Sequence, residues 1–493
     1  MLDCIDSRRQ AVAQDTPAKR KSELGQFMTP SAIARFMAGM FRPMHGRSVR
    51  LLDAGAGIGS LTAAFVDRAA ADQACSLDCE AWEIDPLLHA HLEQTLADCA
   101  QRARTVGATF AAEIRTEDFI LATGDLFAPQ GRGDFSHAIL NPPYKKIHSA
   151  SAHRAALRSC GIETANLYSG FVALAIQALR AGGELVAITP RSFCNGPYFR
   201  PFRELLISQC ALERVHVFGS RTDAFRGDAV LQENVIFHLT KGGAQRDVCL
   251  SASSDASFHD LTLHTLPFSE VLLPSDRQRI FHLAPQEEGQ APAAHPGRYH
   301  HTLDELGIGV STGPVVDYRL RPAWQFEQQA CASAPLVYAH HFAGGRVVHP
   351  KPEAKKPNWL SMTEQTQKWL MPSGTYVLVR RLSSKEERRR IVPALFEPSS
   401  AAGEQIGFEN HLNVFHANKQ GLEPAVARGL AIYLGSTFAD QWLRRFSGHT
   451  QVNATDLRAM KYPDLPTLRA WGEKWTETPL SQDEIDALVQ AKP

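Results

Sequence analysis

The sequence predicts an α/β fold, a doubly wound and largely parallel sheet, followed by a second domain of mixed α+β character. Three observations predict it. Short apolar runs alternate with amphipathic helical stretches through the first half of the chain. The first such run ends in a glycine-rich loop that opens a helix. Carboxylates and an amide stand just beyond successive runs, at the sheet edge where doubly wound folds bind ligands.

Composition sets the outer bounds. The 493 residues suffice for two or three domains at roughly 150 residues each. Apolar content of 44% and charged content of 21% allow a sizeable core. Lys+Arg and Asp+Glu are both 52, so any nucleic-acid surface must be local. The nine cysteines lack zinc spacing, so no metal site is expected and reduced thiols of a cytoplasmic protein are. The N-terminus lacks the apolar core of a signal peptide. No run approaches the ~20 apolar residues of a membrane span, so no membrane partner is expected.

Residues 1–22 are polar, with Lys19, Arg20 and Lys21, and read as a mobile arm. Residues 23–243 read as the first domain. Thr29 or Ser31 is placed to cap a helix over Ala32 to Met40, with Pro30 near its first turn. Such a helix start presents N–H groups to an anion such as a carboxylate. Val49 to Asp53 is a buried strand, followed by the loop of Gly55, Gly57 and Gly59 and a helix from Ser60 to about Ala70. The spacing departs from the dinucleotide fingerprint. Asp53 at the strand end argues against a phosphate and for a cationic or amine-bearing ligand.

The second strand, Leu77 to Trp82, ends in Glu83-Ile84-Asp85-Pro86. Glu83 stands where a ribose diol is gripped. Phe110 to Arg115 is the third strand. Asp118 and Asp125 then compete as readers of an adenine. Asp118 is preferred because it lies closer to the strand end, with Phe119 beside it to pack on a purine.

The next apolar run, His137 to Leu140, leads into Asn141-Pro142-Pro143-Tyr144. The prolines fix φ and carry no N–H, so their carbonyls meet no competing donor. Asn141 Oδ1 and the Pro142 carbonyl can accept both protons of an exocyclic amine, and Tyr144 adds a stacking surface. A helix over Ala165 to Arg180 stops at Gly182-Gly183. A strand Leu185 to Thr189, a helix Pro201 to Gln209 and strands Val215 to Phe218 and Val235 to Leu239 complete the alternation. Phe225 is placed as a second aromatic wall or as a core residue.

Residues 244–299 are rich in Ser, Pro, Gln and Ala and read as a connector. The second domain spans 300–493. Ser311 to Pro314 is a turn, and Tyr376 to Val379 and His411 to Phe415 are strands. Ser384-x-x-Glu387 reads as a capping box opening a short helix with Arg388, Arg389 and Arg390, suited to a phosphate backbone. An amphipathic helix covers Ala425 to Phe446. The polar loop Ser447 to Asp456, with Thr450, Gln451 and Asn453, is suited to base edges.

The order GQFMTP, LLDAGAGIG, EIDP, DF and NPPY, followed by a C-terminal domain, resembles the γ-class N6-adenine DNA methyltransferases of the Eco57I/TaqI-like methylase family. The segments YVLVRRLSSKEERRRIV, GFENHLNVFH and SGHTQVNATDLRAMKYP resemble the PstI/BsuBI-type modification methylases. The resemblance covers about Glu23 to Leu465. It implies a Rossmann-like domain that takes S-adenosylmethionine and a C-terminal target-recognition domain. By resemblance, Thr29, Asp53 and the Gly55 loop meet the amino-acid part of the donor. Glu83 holds the ribose, Ile84 packs on the adenine, and Asp118 with Phe119 reads it. Asn141 and Pro142 bind the target amine, and Tyr144 stacks on the flipped base with Phe225 opposite.

The resemblance further implies a monomer acting on double-stranded DNA, at the inner adenine of CTGCAG, as the modification arm of a type II restriction-modification system whose endonuclease acts separately. A protein-glutamine or RNA guanine methyltransferase accounts for the chain only to about residue 240. An amine-cytosine methyltransferase fits the same cup, though Asn at the first position favours adenine by family resemblance. A non-catalytic DNA specificity subunit leaves the donor site without a purpose. A C5-cytosine enzyme needs a cysteine nucleophile, and no Pro-Cys pair occurs.

Overall fold

A computed structural model describes residues 1–15, 28–122, 134–218, 234–274, 276, 278–283, 298–330, 332–352, 356–383, 387–398, 403–446, 451–476 and 478–491. The chain divides into two units, Met1–Pro285 and Gln286–Pro493.

Among the described residues, the first unit is built on nine strands: β1 (Ser48–Ala54), β2 (Ser76–Trp82), β3 (Thr109–Arg115), β4 (Phe135–Leu140), β5 (Leu179–Pro190), β6 (Cys210–Phe218), β7 (Asn234–Lys241), β8 (Val248–Ser253) and β9 (Thr262–Leu266). Their order is β3-β2-β1-β4-β5-β7-β6-β8-β9. The first five are parallel, and β7 runs antiparallel to both β5 and β6. Strand order therefore reverses between β1 and β4, which opens a crevice at their carboxyl ends.

The strands form because both faces are covered. Side chains alternate across a strand, so Leu52 and Ala54 join one apolar cluster while Val49 and Leu51 join another. Every residue of β4 is buried, as expected of a central parallel strand. Helix Leu167–Ala178 covers one face, and helices Ser31–Gly39 and Ser60–Ala71 cover the other.

Two expectations for this unit are corrected. Residues 1–22 were expected to be a mobile arm, yet Leu2–Asp15 is a helix. Leu2, Ile5 and Val12 are buried in the core. Arg8 bonds Thr95 at 2.7 Å and Asp98 at 3.1 Å. The apolar stripe is thin, and tertiary partners rather than propensity hold the helix. Residues 244–299 were expected to be a connector, yet β8 pairs parallel with β6 and β9 pairs with β8. The serines that suggest a linker are strand partners of a buried imidazole: Ser251 Oγ lies 2.9 Å from His216 Nδ1, and Ser253 Oγ 3.2 Å from Nε2. The sheet also takes up Gly182 and Gly183, because the helix ends at Ala178 and β5 begins at Leu179.

Among the described residues, the second unit carries a six-stranded and a five-stranded sheet. At the centre of the first, Tyr376–Arg380 pairs antiparallel with Pro393–Phe396 and with Leu412–His416. The helix expected over Ala425 to Phe446 is two helices, Pro424–Leu434 and Thr437–Arg444. Ser436 Oγ accepts the Ala439 N–H at 3.1 Å and so caps the second one. Helix Leu465–Gly472 crosses the first so closely that a Cβ on Gly429 would sit 1.8 Å from the Leu468 carbonyl oxygen.

Candidate active site

A cleft of about 320 Å³ opens at the carboxyl edge of β1, β2 and β4. Its floor is the loop after β1. Gly55, Gly57 and Gly59 have φ of +84°, +60° and +86°, a region that only glycine enters freely. Gly59 has a second constraint, since a Cβ there would lie 2.9 Å from both Leu92 and Thr95. The Gly55 and Ala56 N–H groups donate to the Trp82 carbonyl at 2.9 and 2.8 Å. The Gly57 N–H donates to Glu83 Oε2 at 2.8 Å. These donors are spent within the chain, so the loop is not an anion cradle. That agrees with the reading of Asp53 against a phosphate.

Asp53 is fully buried. Thr62 Oγ1 donates to its Oδ2 at 2.6 Å, while its Oδ1 has no hydrogen-bond partner. Burial, with the Glu83 charge adding, raises its pKa from 3.8 to about 7, against the opposing hydrogen bond of Thr62. Glu83 is buried too, and burial raises its pKa. Its Oε1 accepts the Asp85 N–H at 2.7 Å. Ile84 stays 47% exposed at the cleft.

Asp118 and Phe119 line the same cleft. Phe119 is set edge-on to Trp82 at 5.4 Å and tilted to Phe171 at 5.0 Å. Asn141 and Pro143 line it as well, whereas Pro142 is buried. The Asn141 amide is oriented by two neighbours. Its Nδ2 donates to Thr29 Oγ1 at 3.0 Å, and the Tyr144 hydroxyl donates to its Oδ1 at 3.0 Å. Tyr144 also reaches the Ile188 carbonyl at 3.4 Å and meets Tyr168 edge-on at 6.3 Å. Burial pushes its hydroxyl pKa upward.

Thr29 differs from its expected role. It does not cap the helix Ser31–Gly39, whose N-cap is Pro30 without a side-chain bond. The Ser31 N–H donates to Asp6 Oδ1 at 3.1 Å, so a carboxylate of the chain itself occupies that helix start. Trp82, Lys145, His153 and Phe171 line the cleft and were missed from sequence. Trp82 and Lys145 adjoin recognised motifs, which is a usable signal. His153 and Phe171 carry none. Asp125 and Phe225 lie outside the described residues.

In the second unit the arginine run is corrected. Residues 387–390 are not helical. Arg390 is fully buried, and its N–H donates to Asp440 Oδ1 at 2.6 Å. Arg389 bonds the Ser436 carbonyl at 2.7 Å and the Gln482 side chain. Arg388 is the exposed member. The Arg390 side chain is buried, and the half-buried Arg389 guanidinium is committed to Ser436 and Gln482, so neither is presented as the sequence suggested. Asn453 caps helix Ala454–Ala459 in a capping box with Asp456, and Gln451 accepts from Arg381 at 3.2 Å. Thr450 and Ser384 lie outside the described residues.

Glu83, Asp118 and Asn141 line one crevice at a strand-order reversal, while Asp53 is fully buried and does not line it. Residues 85–225 match the family model described as Eco57I restriction-modification methylase. The chain is 44% identical to the type II methyltransferase M.BsuBI of Bacillus subtilis over 499 residues, covering 99% of this chain and 97% of that protein. It is 43% identical to the type II methyltransferase M.PstI of Providencia stuartii over 488 residues, covering 98% and 96%. It belongs to this family, the DNA methyltransferases of type II restriction-modification systems. Its fold is also similar to that of the type IIL restriction-modification enzyme MmeI in complex with DNA. The TM-score there is 0.52 at 12% identity, covering 100% of this chain and 74% of that one. Among the described residues, no helix is long and apolar enough to cross a membrane.

Proposed function

We propose that this protein transfers a methyl group from S-adenosylmethionine to N6 of an adenine flipped out of double-stranded DNA. The observation that carries this reading is the clamped Asn141 amide. The Thr29 bond to Nδ2 and the Tyr144 bond to Oδ1 hold the amide in one orientation, and Oδ1 is the atom that accepts a proton of the target amine in a hydrogen bond. The Pro142 carbonyl takes the second proton. The nitrogen lone pair then turns out of the ring plane, and positioning does most of the remaining work. Tyr144 stacks on the extruded base, which offsets part of the few kcal/mol that flipping costs.

The cleft fits the donor. Asp53 has an orphaned oxygen for a cationic group, Glu83 stands ready for a ribose diol, and Ile84 and Asp118 meet a purine. S-adenosylmethionine supplies a methyl group on a sulfonium. The reading extends to the inner adenine of CTGCAG through the resemblance to PstI-type methylases. It includes target recognition by Gln286–Pro493, a monomer in the cytoplasm, and a separate cognate endonuclease. Expression in a methylation-free host followed by modified-base sequencing tests it. N6-methyladenine within CTGCAG is the expected mark. Methylcytosine, or an unmarked genome beside methylated RNA or protein, overturns it.

A further inference from the structure

The two oxygens of Asp118 are not equivalent. Oδ1 accepts the N–H groups of Ile120 at 2.9 Å and Leu121 at 3.0 Å, which fills both of its lone pairs. Oδ2 accepts from His153 Nε2 at 2.8 Å and keeps one lone pair. Both residues line the cleft. An ionised carboxylate only accepts, so this imidazole carries its proton on Nε2.

We propose that His153 is a positioning residue for the donor. It fixes the Asp118 carboxylate so that the remaining Oδ2 lone pair faces the exocyclic amine of the donor's purine, and it thereby sets the preference for a 6-amino over a 6-oxo purine. The inference rests on the reading of Asp118 as the adenine contact. The Oδ1 bonds alone leave the carboxylate free to pivot about that oxygen. The Nε2–H of His153 removes the freedom. A 6-amino group then donates to Oδ2, whereas a 6-oxo group brings an oxygen against a carboxylate held in place.

His153 can act this way because packing, not its own hydrogen bond, sets its position. It lies in the first turn of helix Ala152–Ser159, where Ser151 Oγ accepts the Arg154 N–H at 3.3 Å. Leu157 of that helix is fully buried. It fits against Gly170, where an added Cβ would lie 2.8 Å from Leu157 Cδ1 and 3.5 Å from Ile120 Cδ1. Leu157 of this helix and Ile120 of the turn that bears Asp118 thus close on the same glycine of helix Leu167–Ala178. Arg154 and Arg158 both pair with Glu163, which anchors the far end.

The test uses the full chain and two donor-product analogues, S-adenosylhomocysteine and S-inosylhomocysteine, which differ at the purine 6-position. Calorimetric Kd values on the native protein should favour the adenosyl compound by tenfold or more. His153→Ala should cut that ratio by about three- to tenfold, the net worth of one ordinary hydrogen bond. His153→Gln, whose Nε2–H reaches as far, should restore it. In methylation assays His153→Ala should raise the KM for donor more than it lowers kcat. Equal weakening of both analogues in His153→Ala would mark a merely structural role and overturn the proposal. An unchanged ratio would overturn it as well, leaving Asp118 as reader. Equal binding of the two analogues by the native protein would instead overturn the adenine-reading role of Asp118, and the proposal with it.

Discussion

Thr29→Val separates two roles for one hydroxyl. Sequence resemblance sets Thr29 against the amino-acid part of the donor. The structure directs its oxygen to Asn141 Nδ2 at 3.0 Å, with Thr29 only 4% exposed. Valine keeps the shape and removes the acceptor. The amide then loses a bond that orients it, and Oδ1 is held less firmly toward the target amine. A net hydrogen bond is worth about 0.5–1.5 kcal/mol, so the rate should fall about 2- to 12-fold. The loss belongs in kcat, because the amide acts on the reacting amine. Thr29→Ser keeps the acceptor and should recover most of it. Single-turnover methylation of a CTGCAG duplex, beside calorimetric donor Kd, reads both quantities. An unchanged kcat with weakened donor binding would refute this reasoning and return Thr29 to the donor.

Asn141→Ala should abolish methylation while donor affinity stays within about threefold; equilibrium binding beside a radiometric assay checks it, and lost donor binding would count against the cup. Asp53 releases its proton near 3.8 when unfolded and near 7 when folded, so it makes stability fall as pH rises through that window, by up to about 4 kcal/mol. Urea midpoints at pH 5 and pH 8 should therefore differ less in Asp53→Asn than in the native chain. Arg388→Ala should lower the salt slope of DNA binding by about one, read by titration at several salt concentrations. Arg390→Ala should lower Tm instead, because that guanidinium is fully buried. Gly429→Ala should destabilise by about 1–3 kcal/mol or more, since its Cβ would sit 1.8 Å from the Leu468 carbonyl oxygen; an unchanged Tm would mean that the two helices move apart freely.

Strands β1 to β7 and the helices Ser60–Ala71, Leu167–Ala178 and Arg200–Gln209 were legible because burial on two faces writes a short-range pattern of apolar runs and glycine stops, whereas the helices Pro86–Thr105 and Ala152–Ser159 were not read. Gly55, Glu83 and Asn141 were legible for a related reason: each follows a strand end directly, and strand ends of a parallel sheet share one edge. Helix Leu2–Asp15 was not, because its stripe of Leu2, Ile5 and Val12 is too thin to stand out from a polar segment. Nor was the domain boundary. Ser251 and Ser253 look like linker residues until His216 is seen between them.

The order of residues by itself determined strands β1 to β7, the family, and that Glu83, Asp118 and Asn141 reach the crevice. Only the folded chain decided what holds those groups in aim. Thr29 meets Asn141 across 112 residues, and His153 meets Asp118 across 35. It also decided that Arg390 supports a core while Arg388 faces solvent. Side-chain periodicity is a local property and survives in one dimension. A hydrogen bond between distant side chains exists only once packing has brought donor and acceptor within 3 Å or so, and no spacing along the chain encodes it.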